Sequence, residues 1–183
     1  MNSFVVADPK RCIGCRTCEI ACVLAHSNGE GMQAMTPSRF TPRLELIQTA
    51  KLSAPVQCHQ CEDAPCARAC PNKAIVFADN SVQVQQERCI GCKNCMMACP
   101  FGIMKVVMVE RVEQIETISG TKTIRVKKSE AQKCDLCHTN SQGPACVRVC
   151  PTKSLHLVDQ NKVASTIKAR QELAIQNIAA MSN

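Results

Sequence analysis

Sixteen cysteines in a chain of 183 residues fall into four groups of four, with none left over. The first group, Cys12, Cys15, Cys18 and Cys22, is spaced C-x2-C-x2-C-x3-C, and the third, Cys89, Cys92, Cys95 and Cys99, repeats that spacing. The second, Cys58, Cys61, Cys66 and Cys70, widens the middle gap to four residues, and the fourth, Cys134, Cys137, Cys146 and Cys150, widens it to eight. The repetition extends beyond the thiols. "RCIGCRTCEIAC" (11–22) returns 77 residues later as "RCIGCKNCMMAC" (88–99), with eight of twelve positions identical.

In a short secreted chain this cysteine density would mean a disulfide scaffold. The N-terminus "MNSFVVADPK" has neither a basic, then apolar, leader pattern nor a twin-arginine pair, which predicts a cytoplasmic, thiol-preserving compartment. No apolar run approaches the roughly 18 residues of a bilayer span, so no direct membrane span is expected.

The spacing has a metal-binding logic. Three cysteines on a tight loop can bind three irons of one cubane, while a fourth, one helical turn further on, points toward a different cluster. Pro71, Pro100 and Pro151 follow Cys70, Cys99 and Cys150, disfavouring helical geometry there and ending a short helix; only Cys22 lacks such a proline. Gly14 and Gly91 suit a loop whose backbone turns tightly and approaches a bulky inorganic core. Structural zinc is the competing metal, but it normally uses two C-x2-C pairs separated by a longer loop. The run of four, with a Cys-Pro ending in three groups, predicts four [4Fe-4S] clusters with all sixteen thiolates as ligands. The four histidines are not needed as ligands; His59, between Cys58 and Cys61, is a candidate hydrogen-bonding neighbour of a cluster.

Charge reinforces this reading. The formal net charge of +7 treats every thiol as neutral, whereas four cluster sites at −2 each would bring it to −1. The basic excess then balances the chain's own cofactors. With Lys and Arg spread along the chain and no Trp or Tyr to stack on bases, nucleic acid is not an expected partner.

Between the second and third groups, "AIVFA" (74–78), Asp79-Asn80-Ser81 and "VQVQ" (82–85) read as a hairpin. This middle segment resembles a complete bacterial two-cluster ferredoxin. The resemblance implies crossed ligation, with Cys58, Cys61 and Cys66 joined by Cys99, and Cys89, Cys92 and Cys95 joined by Cys70. The first and last groups then look like two halves of another ferredoxin into which the first is inserted: Cys12, Cys15 and Cys18 with Cys150, and Cys134, Cys137 and Cys146 with Cys22.

The expected fold is α+β: two nested bacterial-ferredoxin-like units of short strands and short helices around four clusters, followed by a C-terminal helix. Residues 1–52 form the first half of the outer unit plus a linker, 53–109 the inner unit, 110–160 a hairpin and the second half of the outer unit, and 161–183 the helix. Residues 23–57, with several Gly and Pro, read as mostly loop. Residues 103–109 read as a strand, and "VEQIETISGTKTIRV" as a hairpin turning at Ser119-Gly120. Val163, Ile167, Ala174, Ile178 and Met181 recur at helical spacing, predicting an amphipathic helix that covers its own domain.

"QCHQCEDAPCARACP" (57–71) and "KCDLCHTNSQGPACVRVCPTKSLHLVD" (133–159) strongly resemble the four-cluster electron-transfer subunits of molybdenum- or tungsten-dependent oxidoreductases. Similar chains are the small iron-sulfur subunits of formate hydrogenlyase, of formate dehydrogenase systems and of hydrogen-dependent carbon dioxide reductase. The resemblance runs from about Phe4 to Asp159. It implies single-electron relay between a formate dehydrogenase-type catalytic subunit and a hydrogenase or another iron-sulfur acceptor, in the cytoplasm or at the periphery of a membrane complex. An accessory protein for formate dehydrogenase maturation or assembly would carry the same clusters. No nucleotide-binding glycine motif or spare nucleophilic cysteine suggests a self-contained enzyme.

Overall fold

The computed structural model describes residues 1–27, 29, 31–117 and 120–181. In chain order it forms β1 (Phe4–Ala7), α1 (Thr17–Ala25), a 3-10 turn (Gly31–Ala34), β2 (Leu44–Gln48), β3 (Ser53–Gln57), α2 (Pro65–Arg68), β4 (Ile75–Ala78) and β5 (Ser81–Val84). Then follow α3 (Asn94–Ala98), β6 (Lys105–Thr117), β7 (Gly120–Gln132), α4 (Ala145–Val149), β8 (Leu155–Val158) and α5 (Gln160–Met181). The strands pair antiparallel, two by two: β1 with β8, β2 with β3, β4 with β5, and β6 with β7.

The β1–β8 pair is the long-range closure. Phe4 faces Val158 and Ala7 faces Leu155, so the first and fourth cysteine groups are drawn side by side and α1 packs on α4. The β4–β5 hairpin lies where the residue pattern places it, in tighter form. Asp79 and Asn80 have φ of 49° and 54°, the two left-handed positions of a type I′ turn, and Ser81 already belongs to the strand. Here α2 packs on α3, bringing the second and third groups together.

Three expectations are corrected. Residues 23–57, expected as mostly loop, also contain a hairpin at their end, where Leu44 and Leu46 alternate with exposed residues and β2 pairs against β3. The strand at 103–109 and the following hairpin are one ladder, from Lys105 opposite Gln132 to Thr117 opposite Gly120. Ser119 of the expected turn lies outside the described residues. Finally, α5 starts at Gln160, capped by the Asp159 carboxylate accepting from Lys162 N at 2.8 Å, and does not cover its domain. Ile167, Leu173, Ile175 and Ile178 are 49–68% exposed, while the side chain of Met181 lies outside what is described.

The interior has two main cores. One gathers Ala64, Ala74, Ile75, Val82, Met104 and Ala131 around Cys66, Cys89 and Cys95. The other gathers Val5, Leu44, Leu136 and Leu155 around Cys18, Cys22 and Cys146. No aromatic residue belongs to either. Thiols therefore stand at the centre of each core, where a domain of this size would ordinarily place large hydrophobic side chains.

Candidate metal centres

All four cysteine loops share a backbone device. The residue before the second cysteine has positive φ in each: Gly14 (71°), Gln60 (52°), Gly91 (67°) and Leu136 (59°). This left-handed kink folds the loop back, so its cysteines converge on one side. At Gly91 the absence of a Cβ serves a neighbouring strand: an added Cβ would sit 2.4 Å from Ser129 Cβ and 2.9 Å from the Ser129 carbonyl oxygen in β7. At Gly14 the closest atom is Gln48 Nε2 at 2.3 Å, the end of a side chain that can swing away.

The fourth cysteines leave their own groups. Cys99 and Cys150 are extended, with ψ of 114° and 113°, as their following prolines require. One cavity, with about 340 Å³ free of protein atoms, is lined by Cys89, Cys92, Cys95 and Cys70. A second, about 330 Å³, is lined by Cys58, Cys61, Cys66 and Cys99. A third, about 310 Å³, is lined by Cys12, Cys15, Cys18 and Cys150. Cys22 packs in the same core as Cys146 and Cys134, and the thiols of Cys134, Cys22, Cys137 and Cys18 all act on the buried thiol of Cys146. Three spaces of nearly one size, each with four sulfurs, fit one repeated inorganic core.

The thiol electrostatics fit as well. Burial pushes the Cys18 and Cys66 thiols up to about 11 and that of Cys134 up to about 12. Cys146 is driven higher still, by burial and then by the neighbouring thiolates of Cys134, Cys22 and Cys137. Without a cation such sets stay protonated; a cationic metal core makes them thiolates and displaces the protons. Cys150 runs the other way: hydrogen bonds from Thr152, Ser154 and Leu155 outweigh its partial burial and bring it down to about 7.

Backbone amides aim at several sulfurs. Ala74 N donates to Cys70 Sγ at 3.2 Å and Ser154 N to Cys150 Sγ at 3.3 Å, each four residues past its acceptor. Lys73 and Lys153, at φ of 49° and 50°, turn the chain so that these amides point back. Their own side chains are exposed. Gly102, at φ of 63°, takes the same turn three residues after Cys99. Cys58 Sγ accepts from Gln60 N at 3.4 Å, and Cys22 Sγ from Arg43 N at 3.3 Å.

His59 makes no hydrogen bond among the described residues. Its ring stacks on Phe101 with centroids 4.0 Å apart and walls the Cys58 cavity. A different histidine is engaged: His26 Nδ1 donates to the Cys22 carbonyl at 2.7 Å, and Nε2 meets Asp135 Oδ1 at 3.0 Å. Although burial opposes its charge, hydrogen bonds with Asp135 and Cys22 raise His26 to about 9. Asp135 also pairs with Arg43 and accepts from Cys137 N at 3.0 Å, pinning the Cys134–Cys137 loop to the end of α1. Sequence reasoning missed this group, and it missed Gln60 and Lys133, both 2% exposed. One signal was present: Gln60 and Leu136 stand where the two repeated loops have glycine.

Residues 54–110 match the model of the LdpA Fe-S cluster-binding domain, 88–155 that of a 4Fe-4S dicluster domain, and 9–22 that of a 4Fe-4S binding domain. Over 164 residues the chain is 49% identical to the electron transport protein HydN of Escherichia coli (strain K12), a match covering 89% of this chain and 91% of that one. The chain belongs to the HydN family of iron-sulfur electron-transport proteins. Another relative is formate hydrogenlyase subunit 2 of the same organism, 42% identical over 195 residues and covering 94% of this chain and 90% of that one. As a member of the HydN family the chain carries several [4Fe-4S] clusters and passes electrons without itself transforming a substrate. No helix among the described residues is long and apolar enough to cross a membrane.

Proposed function

We propose that the chain is two nested ferredoxin units holding four [4Fe-4S] clusters in line. The ligand sets are Cys12, Cys15, Cys18 and Cys150; Cys22, Cys134, Cys137 and Cys146; Cys58, Cys61, Cys66 and Cys99; and Cys70, Cys89, Cys92 and Cys95. The observation that carries this reading is the three near-equal cavities, each lined by three cysteines of one group and the last cysteine of another.

The order of the sets follows from shared elements. Cys18 and Cys22 lie one turn apart on α1, and Cys66 lies on α2 four residues before Cys70, so neighbouring sets within a unit share one short stretch of chain. Gln60 ties the Cys58 set to the Cys134 set by donating from Nε2 to the Cys134 carbonyl at 2.8 Å. The outermost sets are the two with an exposed cysteine, Cys15 and Cys92, whereas the central sets have none. Each cluster, when bound, supplies a one-electron redox change. The protein's residues hold the sulfurs, donate hydrogen bonds to them, and leave an exposed ligand at either end of the line for a partner.

The resemblance to formate hydrogenlyase subunit 2 supports a molybdenum- or tungsten-dependent formate dehydrogenase-type subunit at one end and a hydrogenase or another iron-sulfur subunit at the other. The test is iron and sulfide analysis of anaerobically purified protein, with about sixteen of each expected per chain, followed by reconstitution between the two partners. Colourless protein containing about four zinc ions, or undiminished electron flow with the chain absent, would overturn it.

A further inference from the structure

Where the inner and outer units meet, a lysine is shut away from solvent. Lys133 is 2% exposed, and its ammonium donates to Gln60 Oε1 at 3.2 Å and to the Cys134 carbonyl at 2.8 Å. Among the described residues no carboxylate forms an ion pair with it. Gln60, equally buried, commits its side chain and its backbone N to this point, while its carbonyl accepts from Asn2 Nδ2 at 2.9 Å. Its Oε1 also accepts from Val82 N at 2.8 Å, its Nε2 reaches the same Cys134 carbonyl, and its backbone N donates to Cys58 Sγ. The ammonium therefore sits between the loop that begins at Cys58 and the loop that begins at Cys134; it donates two hydrogen bonds itself, and Gln60 adds one that crosses to the Cys134 carbonyl and one that braces Cys58.

A buried cation without a carboxylate partner is expensive unless negative charge is supplied from elsewhere. The sulfur sets on either side are placed to supply that charge. Lys133 is in contact with both: its ammonium donates to the carbonyl of Cys134 itself and to Gln60, whose backbone N donates to Cys58 Sγ.

We propose that Lys133 is a shared potential-setting residue for the two central cluster sites, held in place by Gln60, and that it stabilises an added electron on either one. The inference rests on the assignment of these sets as cluster sites. Reduction adds one electron, received from the adjacent cluster and passed to the next, and takes a site from −2 to −3 with no bond made or broken. A fixed positive charge in a medium of low dielectric favours the more negative state. Because one ammonium serves both sites, the two centres on either side of the unit boundary are raised together, and the boundary is kept from becoming an uphill step.

The test is an anaerobic redox titration of the full chain, followed by electron paramagnetic resonance, on Lys133→Met, Lys133→Gln and Lys133→Arg. Signals are assigned by comparison with Cys61→Ser and Cys137→Ser. Both neutral variants are expected to lower the midpoints of those two centres, with about a tenfold fall in the reduced-to-oxidised ratio at fixed potential, or 59 mV for one electron. Lys133→Arg should return both toward the wild-type values, and the exposed Lys168→Met should shift none. Full iron content with unmoved midpoints in the neutral variants overturns the inference while leaving the four-cluster reading intact. Iron and sulfide in the wild type short of four clusters overturns that underlying reading instead. If both neutral variants lose their iron while Lys133→Arg loads fully, the charge is an assembly requirement and the potential-setting role fails.

Discussion

At Gly91 two costs of substitution coincide, a left-handed φ of 67° and a neighbouring backbone too close for a Cβ. Gly91→Ala should therefore lose at least about 1–2 kcal/mol, the usual cost of placing an L-residue there, measured as a fall in the anaerobic melting temperature. Gly14→Ala should lose less, since Gln48 can move aside. The exposed Lys73 and Lys153 give a contrasting case. Their ammonium groups are screened by water, so Lys73→Ala or Lys153→Ala should lower a midpoint by about 1 kcal/mol or less, about 40 mV or less for one electron. A larger shift in an anaerobic titration would show that an exposed lysine acts on a cluster directly. The conformations of these lysines matter more than their charges, because each turns the next amide onto a sulfur.

Among the elements, the short helices do the sorting. α1 carries Cys18 and Cys22 on successive turns, α2, α3 and α4 each carry one cysteine with the next just past the helix end, and the proline after Cys99 or Cys150 makes that final cysteine extended, so that its sulfur leaves the loop preceding it. Cys99→Ser should therefore perturb the centre built by Cys58, Cys61 and Cys66 and leave iron at the Cys89, Cys92 and Cys95 centre largely intact. Paramagnetic spectra referenced to Cys61→Ser and Cys92→Ser can assign the change. Disturbance confined to the centre that responds to Cys92→Ser would show that ligation stays within each group. The strands play another part: β1 and β8 bring the first and fourth cysteine groups together, and β7 carries Ser129 against the Gly91 loop and leads to Lys133.

For the whole molecule, the decisive quantity is how little ordinary core there is. Ala, Val, Leu, Ile and Met surround cysteines, no aromatic side chain joins them, and neither main core closes without its thiols. Metal binding and folding should therefore be coupled. Anaerobic chelation of iron is expected to abolish the cooperative melt. It should also raise the isoelectric point, as the chain moves from the −1 expected with four clusters toward its formal +7. A chelated chain that keeps its melt and its isoelectric point would refute both statements. The same coupling explains why the N-terminal strand Phe4–Ala7 and the distant Leu155–Val158 form one sheet: their pairing brings Cys12, Cys15 and Cys18 to Cys150.

By itself the sequence determined the metal chemistry, the four groups, the ends of the short helices and the β4–β5 turn. These are local properties: ligand spacing, the restriction before proline and the preference of Asp-Asn for left-handed φ act within a few residues. Spacing alone did not say which sulfurs lie together; the likeness to ferredoxins supplied that expectation, and strand pairing between distant segments is what brings Cys22 and Cys134 near one another. It also joined the 103–109 strand to its hairpin, ordered β2 and β3 where Gly and Pro suggested loop, and left α5 exposed. Lys133 marks the boundary most clearly. In the sequence it is one lysine among many, and its burial against Gln60 exists only after two remote loops have met, because desolvation is a property of the assembled surroundings and not of the residue.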